Sequence, residues 1–213
     1  MKDIIIWGAT GQCIVLYELL FQKANVKAIF DNNKSVKSPI PGIEIYYGME
    51  GLKSWLDNYS PTKFITAIGG ENGIDRYKIS CQLKEHGFKP ANAIHDMSLI
   101  AKTSSIGIGC QILIGACICA QAVIGDYTIV NTKASVDHGC KIAKGCHIGP
   151  GATLAGEVNV GEYCFIGTGA VILPKINIGN NCIIGANTVV VNDISDNSIV
   201  YGNPGKIRGK ANG

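Results

Sequence analysis

The sequence predicts an α/β unit followed by a solenoid of short parallel strands, and three observations carry that expectation. An aliphatic residue returns at every sixth position from Ile94 to Val190 without a miss. Four places after most of these sits a small residue, as at Cys110, Ala116, Ala122, Thr128, Ala134, Cys140, Cys146, Ala152, Cys164 and Ala170. Ahead of the repeat, an apolar run, a glycine turn, an apolar helical stretch and a second apolar run ending in an acid follow one another over residues 4–31.

Taken in order, Ile4 to Trp7 reads as a buried strand, and Gly8-Ala9-Thr10-Gly11 turns it into an amphipathic helix bearing Ile14, Val15, Leu16, Leu19 and Leu20. Val26 to Phe30 is the second strand, ending in Asp31-Asn32-Asn33. Strand, glycine turn, helix, strand and a distal acid outline a Rossmann-like, mononucleotide-binding βαβ unit. Its glycines let a phosphate or ribose approach the helix N-terminus, and Asp31 is placed to accept from a hydroxyl or a base N–H. G-x-x-G is shorter than the full dinucleotide fingerprint. By itself it reads more readily as a strand-to-helix turn that merely needs glycine.

Pro39 and Pro41 bracket a loop, and Gly51 to Tyr59 suggests a short helix. Lys63 to Ile68 reads as a third strand ending in Gly69-Gly70, followed by a helix over about residues 75–86. The Ala67-Ile68-Gly69 turn falls where a third strand of the same sheet would meet a ligand. Arg76 fits either a phosphate contact or a solvated helix position. The boundary falls near 90, giving an amino-terminal domain 1–90 and a coil with its terminal segment over 91–213.

Sustained sixes match neither the 3.6-residue period of a helix nor the two-residue period of a strand. They match a repeat architecture. Three hexads per turn give a triangular coil of about eighteen residues, rising about 4.8 Å per turn as in any β-ladder. Residues eighteen apart are then vertical neighbours. The small column suits a narrow, close-packed interior. Gly107, Gly125, Gly149, Gly161, Gly167, Gly179 and Gly185, each one place after the aliphatic, suit tight corners.

Size and charge bound the function. The chain has 213 residues, 46% of them hydrophobic and 16% charged, with 27 glycines and a net charge of +3. That composition is ordered rather than disordered. It shows no arginine-rich stripe for nucleic acid, while a mild positive balance tolerates an anionic phosphate ligand. Met1-Lys2-Asp3 leads directly into a strand, and no run of about twenty apolar residues occurs, so a cytoplasmic protein without membrane insertion is expected. Of the nine cysteines, Cys110, Cys140, Cys146, Cys164 and Cys182 fall in the small column and read as small buried hydrophobes. Cys117 and Cys119 have no partner pair at zinc spacing, so no metal is expected.

Asp137-His138 is the informative interruption of the coil, because Asp137 occupies a corner position that elsewhere often holds glycine. An imidazole removes a proton near neutral pH, which acyl transfer to an amine or hydroxyl requires. A lone histidine on a coil is also an ordinary surface residue. Gly156 follows His138 by eighteen residues and so lies one rung above it, where its N–H can face an acyl oxygen held beside the imidazole. Cys140 offers a covalent acyl-cysteine route with His138 as activator, although its column makes it an interior thiol, far from the positive charge that reactivity needs.

The segments I-G-I-G-C at 106–110, V-N-V-G-E-Y-C-F-I-G at 158–167 and I-N-I-G-N-N-C-I-I-G at 176–185 resemble the hexapeptide acyltransferase superfamily. With V-D-H-G-C at 136–140 and W-G-A-T-G-Q at 7–12, nearly the whole chain is similar to its nucleotide-sugar N-acetyltransferases of the bacillosamine and perosamine type, a group that includes sialic acid O-acetyltransferases. The resemblance implies a left-handed parallel β-helix, although most crossovers between parallel strands are right-handed. It further implies acetyl-CoA as co-substrate, His138 as the catalytic base and His147 near the acetyl group or substrate. Relatives often place an acid directly after the base; here Gly139 stands there, which leaves Asp137, Glu157 or a backbone carbonyl to orient His138. Gly156 and Ala186 match positions whose backbone contacts the coenzyme, Thr168 shares the edge of Ala186, and Lys206 and Arg208 belong to the segment that closes over it. Gly8, Thr10, Gly11, Gln12, Asp31, Asn32 and Gly69 would hold the nucleotide-linked sugar, with Gln12 standing where relatives often carry histidine.

His138 and Ala186 lie on different edges of the triangle, so a cleft using both is most simply built between neighbouring subunits of a homotrimer. The expected activity is acetyl-CoA-dependent N-acetylation of a nucleotide-linked amino sugar, UDP- or GDP-linked, for bacterial surface glycan (O-antigen) synthesis. Sugar O-acetylation needs the same base. A zinc carbonic anhydrase on the same coil needs three histidines, whereas only His138 and His147 lie in the repeat beyond its first rung. A non-catalytic binding module would tolerate loss of His138.

Overall fold

The computed structural model describes residues 2–211. The chain divides into two compact units, one formed by Met1–Gly69 and Asp75–Ala93, the other by Gly70–Ile74 and Ile94–Gly213.

The first unit is a five-stranded parallel sheet in the order β3-β2-β1-β4-β5. Its strands are β1 (Lys2–Trp7), β2 (Ala24–Asp31), β3 (Ile45–Tyr47), β4 (Lys63–Thr66) and β5 (Lys89–Pro90), connected in part by α1 (Gly11–Leu20), α2 (Gly48–Leu56) and α3 (Gly73–Glu85). The central strand β1 is a continuous apolar run because both faces are covered: Ile4, Ile5, Ile6 and Trp7 are all buried. In α1 the buried side is Cys13, Leu16, Leu19 and Leu20, while Ile14 and Val15 face outward. Apolarity in that helix therefore exceeds its core stripe. Trp7 stacks on Phe30 with ring centroids 5.5 Å apart, and Phe30 stacks in turn on Tyr46 at 5.4 Å. Offset aromatic pairs of this kind add to the area they bury.

Several boundaries differ from the sequence reading. The helix placed at Gly51–Tyr59 runs over Gly48–Leu56, and the strand read to Ile68 ends at Thr66. Gly48 sits at φ +61°, a conformation that glycine adopts without strain, so the chain turns into α2 at Gly48 instead of Gly51.

The second unit is the coil. Two-residue strands end on each member of the aliphatic column and form three parallel sheets. One contains the strands ending at Ile100, Ile118, Val136, Leu154, Ile172 and Val190. A second contains those at Ile106, Ile124, Ile142, Val160 and Ile178, and the third those at Ile94, Ile112, Val130, Ile148, Ile166 and Ile184. Every pairing, such as Ser135 with Thr153, spans eighteen residues. The column is buried from Ile112 to Val190, as are the small residues between its members. Interior thiols have a polar role besides packing. Cys146, Cys164 and Cys182 donate to the carbonyls of Gly161, Gly179 and Ser195 at 3.0, 2.9 and 3.1 Å. A weak S–H donor thus answers a carbonyl without the desolvation cost of a hydroxyl left unpaired.

The sixfold pattern ends at Val190, yet coiling continues. Ile194 bridges Ile178, and Ile199 and Val200 pair with Ile183 and Ile184, a spacing of sixteen residues instead of eighteen. Asp193 makes the shorter turn possible by accepting from the backbone and side chain of Asn177 at 2.7 and 3.1 Å. Residues Ser198–Tyr201 then pair antiparallel with Lys206–Lys210, which forms the sheet's edge.

Candidate active site

Two clusters of predicted residues are built locally, one in each unit. In the coil, Asp137 and His138 follow the strand Ser135–Val136 at a corner. Asp137 donates its N–H to Leu154 O, and His138 accepts at its own carbonyl from Glu157 N, so the main chain on both sides is tied to the rung above. The Asp137 carboxylate takes the His138 N–H at 2.6 Å and lies 3.1 Å from Nδ1 of the ring. This leaves Nε2 as the ring nitrogen free to meet a substrate. Both side chains are well exposed, at 62% and 46%. The His138 N–H first, and the ring second, hold the Asp137 carboxyl below the usual carboxylate range. One rung below, burial and then the Asp137 charge push the Cys119 thiol up, so it stays protonated beside that carboxylate.

Gly156 lies over the imidazole, as the eighteen-residue step requires. A Cβ at this position would come within 2.3 Å of His138 Cε1 and 2.6 Å of Nε2. Its carbonyl accepts from Lys175 N at 3.0 Å, and among the described residues its N–H takes no part in the ladder. Glu157, the other candidate to orient the ring, instead stacks its Cγ where a side chain on Gly139 would be, 3.3 Å away. Of the two acids, Asp137 is therefore the one that lies against the ring. Cys140 points inward, fully buried, with Sγ donating to Ala155 O at 3.1 Å and with burial pushing its thiol up. The geometry opposes an acyl-cysteine there.

His147 is not the half-exposed corner residue that an ordinary histidine would have been. It opens a strand on the Ile148 face, 6% exposed, with Nε2 2.9 Å from Asn131 Nδ2 and its ring edge-on to Phe165. Its rung neighbours are Ile129 and Phe165, so it sits on a different face from His138. Thr168 and Ala186 stack at the corner that follows that face, both exposed, with Asn187 N bonded to Thr168 O at 2.9 Å. Lys206 and Arg208 are exposed on the terminal antiparallel strand.

In the α/β unit, Gly8 sits at φ +112° against the third strand's exit. A Cβ on it would lie 2.5 Å from Ala67 O. Thr10 caps α1 with extended backbone and makes no side-chain cap bond, and no acid lies in the helix's own first turn, so the carboxylate beside this positive end is that of Asp31. Gln12 lies in that first turn, Asn32 is exposed just beyond β2, and Gly69 follows the Ala67-Ile68 pair. Asp31 corrects the expectation of an available acceptor in part. Its Oδ2 takes Ala9 N at 2.7 Å and its Oδ1 takes Asn33 N at 2.8 Å, so it braces the glycine turn as well as facing the loop. Arg76 is neither solvated nor a surface contact; it is fully buried.

A hexapeptide coil with a histidine–aspartate corner and an uncommitted N–H beside it defines an acyltransferase of the hexapeptide class. Residues 122–156 and 157–192 match the family described as bacterial transferase hexapeptide (six repeats). The structure is similar to a histidine variant of perosamine N-acetyltransferase from Caulobacter crescentus in complex with CoA and GDP-perosamine: 32% identity over 99% of this chain and 98% of that one, TM-score 0.88. It is also similar to the acetyltransferase domain of PglB from Neisseria gonorrhoeae in complex with acetyl coenzyme A, 30% identical over 97% and 99% of the two chains, TM-score 0.85. WeeI from Acinetobacter baumannii, 23% identical over 98% and 100%, shares the fold at TM-score 0.86. The chain belongs to the hexapeptide-repeat nucleotide-sugar N-acetyltransferase family, the group of the perosamine and bacillosamine enzymes.

Proposed function

We propose that the chain transfers the acetyl group of acetyl-CoA to the amino group of a UDP- or GDP-linked amino-deoxy sugar, in the synthesis of a bacterial surface glycan. The observation that carries this reading is the contact of Gly156 with the His138 ring, with Asp137 behind the ring's other nitrogen. His138 Nε2 takes the proton of the attacking amine as the new C–N bond forms. Gly156 N–H meets the oxyanion that develops on the thioester carbonyl, a contribution of about 3 kcal/mol where such a donor is well placed. Asp137 holds the Nδ1 proton and offsets the charge of the imidazolium. The imidazolium returns its proton to the departing coenzyme sulfur, and the thioester C–S bond breaks.

On this reading residues 1–90 are a Rossmann-like domain that holds the nucleotide-sugar. Gly8, Thr10, Gly11 and Gln12 lie at its phosphates, Asp31 and Asn32 by the base, and Gly69 at the adjoining turn. Residues 91–213 are a left-handed β-helix in which Gly156, Thr168, Ala186 and Lys206 serve the coenzyme and His147 approaches the acetyl group or substrate. A homotrimer completes the sites. In its support, the outward side chains of the Val136 face are Leu99, Cys117, Ser135, Thr153, Val171 and Val189, six positions without a charge. No helix among the described residues is long and apolar enough to cross a membrane, and a cytoplasmic site of action suits both substrates.

Coenzyme release should be assayed against a panel of UDP-, GDP- and dTDP-linked amino sugars, with CMP-sialic acid as the hydroxyl acceptor. Turnover on one amino sugar that falls roughly 100-fold or more in His138→Ala supports the assignment. Turnover only on the hydroxyl acceptor, or an unaffected His138→Ala enzyme, overturns it.

A further inference from the structure

The buried guanidinium of Arg76 is unexplained by the chemistry of transfer. It belongs to α3, is wholly excluded from solvent, and its Nη1 donates to the carbonyl of Ile68 at 2.6 Å. Burying an arginine carries a large desolvation penalty unless its donors are well used, so its place in a small α/β unit calls for a specific gain. Around it a buried polar strip ties helix to strand. Ser80 Oγ donates to Arg76 O at 2.7 Å and lies 3.2 Å from Thr66 Oγ1 at the end of β4.

The carbonyl it grips is in the turn that abuts the glycine loop. Ala67 N donates to Trp7 O at 2.6 Å, and Ala67 O lies where any side chain on Gly8 would have to go. Gly8 N in turn donates to Phe30 O at 2.7 Å, and Ala9 N to Asp31. The glycine loop is thus held from one side by Asp31 and from the other by the Ala67-Ile68 turn, whose far carbonyl is fixed by Arg76.

We propose that Arg76 is a positioning residue for the nucleotide-sugar site: through Ile68 it clamps the Ala67-Ile68-Gly69 turn against the Gly8–Gly11 loop, setting the loop's amides for the ligand's phosphates. This rests on the reading of residues 1–90 as the nucleotide-binding domain. The chain supplies its own control, because acetyl-CoA belongs to the coil. Both tryptophans, Trp7 and Trp55, lie in the α/β unit and report on nucleotide.

GDP and UDP are titrated by tryptophan fluorescence, and acetyl-CoA by calorimetry, on wild type, Arg76→Lys and Arg76→Gln. Losing a charged hydrogen bond of this kind should weaken nucleotide binding roughly tenfold or more. The acetyl-CoA Kd should stay within about twofold, and the loss should appear in KM for the sugar substrate with kcat little changed. Arg76→Lys should recover part of what Arg76→Gln loses. Nucleotide affinity equal to wild type in both variants overturns the proposal. So does an equal loss of both ligands with a lowered Tm, or failure of both variants to fold, since either makes the role general stability. If wild type binds neither nucleotide, the nucleotide-domain reading fails first and takes the proposal with it.

Discussion

At the level of single residues, the site turns on how Asp137 is used. It is a corner residue whose carboxylate answers the next residue's main chain and ring at once. Its lowered pKa has a definite sign. A carboxyl held below its usual range is ionised near neutral pH, so it adds no titration step above about pH 4. Asp137→Asn keeps an acceptor for the His138 N–H and removes the negative charge beside the ring. We expect kcat to fall roughly 10- to 100-fold, with a one-proton acid limb in the pH–rate profile of both proteins. A two-proton limb in wild type, or an Asn variant with full kcat, would contradict the role. In the sequence His138 stands beside the interruption at Asp137, and its reading as a base rests on the family resemblance. Its partner was one of three options, because a carboxylate beside a histidine in sequence meets it only if the corner turns the right way. At the same scale Arg76 was illegible: a helix pattern does not say which cation is covered.

Elements make a different kind of claim, since the rungs are stacked copies. The hexad register pairs residues eighteen apart throughout the main coil, so Gly156 above His138 follows from counting. The consequence is steric. In Gly156→Ala the new methyl meets the imidazole at 2.3 Å, and the ring, being exposed, swings aside. Because a displacement of about 1 Å costs on the order of 100-fold in a positioned reaction, kcat should drop by at least about tenfold, while Tm moves little. Full kcat in the alanine variant, or a loss of activity that only accompanies a lowered Tm, would show that the glycine serves packing alone. Counting fails after Val190, where the last turn shortens to a sixteen-residue step. Nothing in a six-residue period announces two missing residues; the Asp193 bonds to Asn177 absorb them. Helix limits in the α/β unit slipped for a related reason, since Gly48 turns the chain by its own φ and not through a pattern.

For the whole molecule, the uncharged Val136 face sets the expectation. Thr153 is exposed at its middle, between Ser135 and Val171. Three copies of Thr153→Asp would bury unpaired charges in a trimer, at a cost of several kcal/mol each. Sedimentation should then give monomers, and acetyl transfer should be lost although circular dichroism is unchanged. A variant that stays trimeric and active would place the interface elsewhere.

The residue order alone determined the coil, its interior columns and the vertical pairing of His138 with Gly156. A narrow prism admits only aliphatic and small side chains inside, and so it must repeat its composition at every edge. Only the tertiary structure decided which polar groups serve as braces. Asp31 meets Ala9 across 22 residues, Arg76 reaches Ile68 from a neighbouring helix, and His147 lies buried against Asn131 and Phe165. Such bonds depend on where whole elements pack. Hydrophobic periodicity, which records burial and not direction, has no term for them.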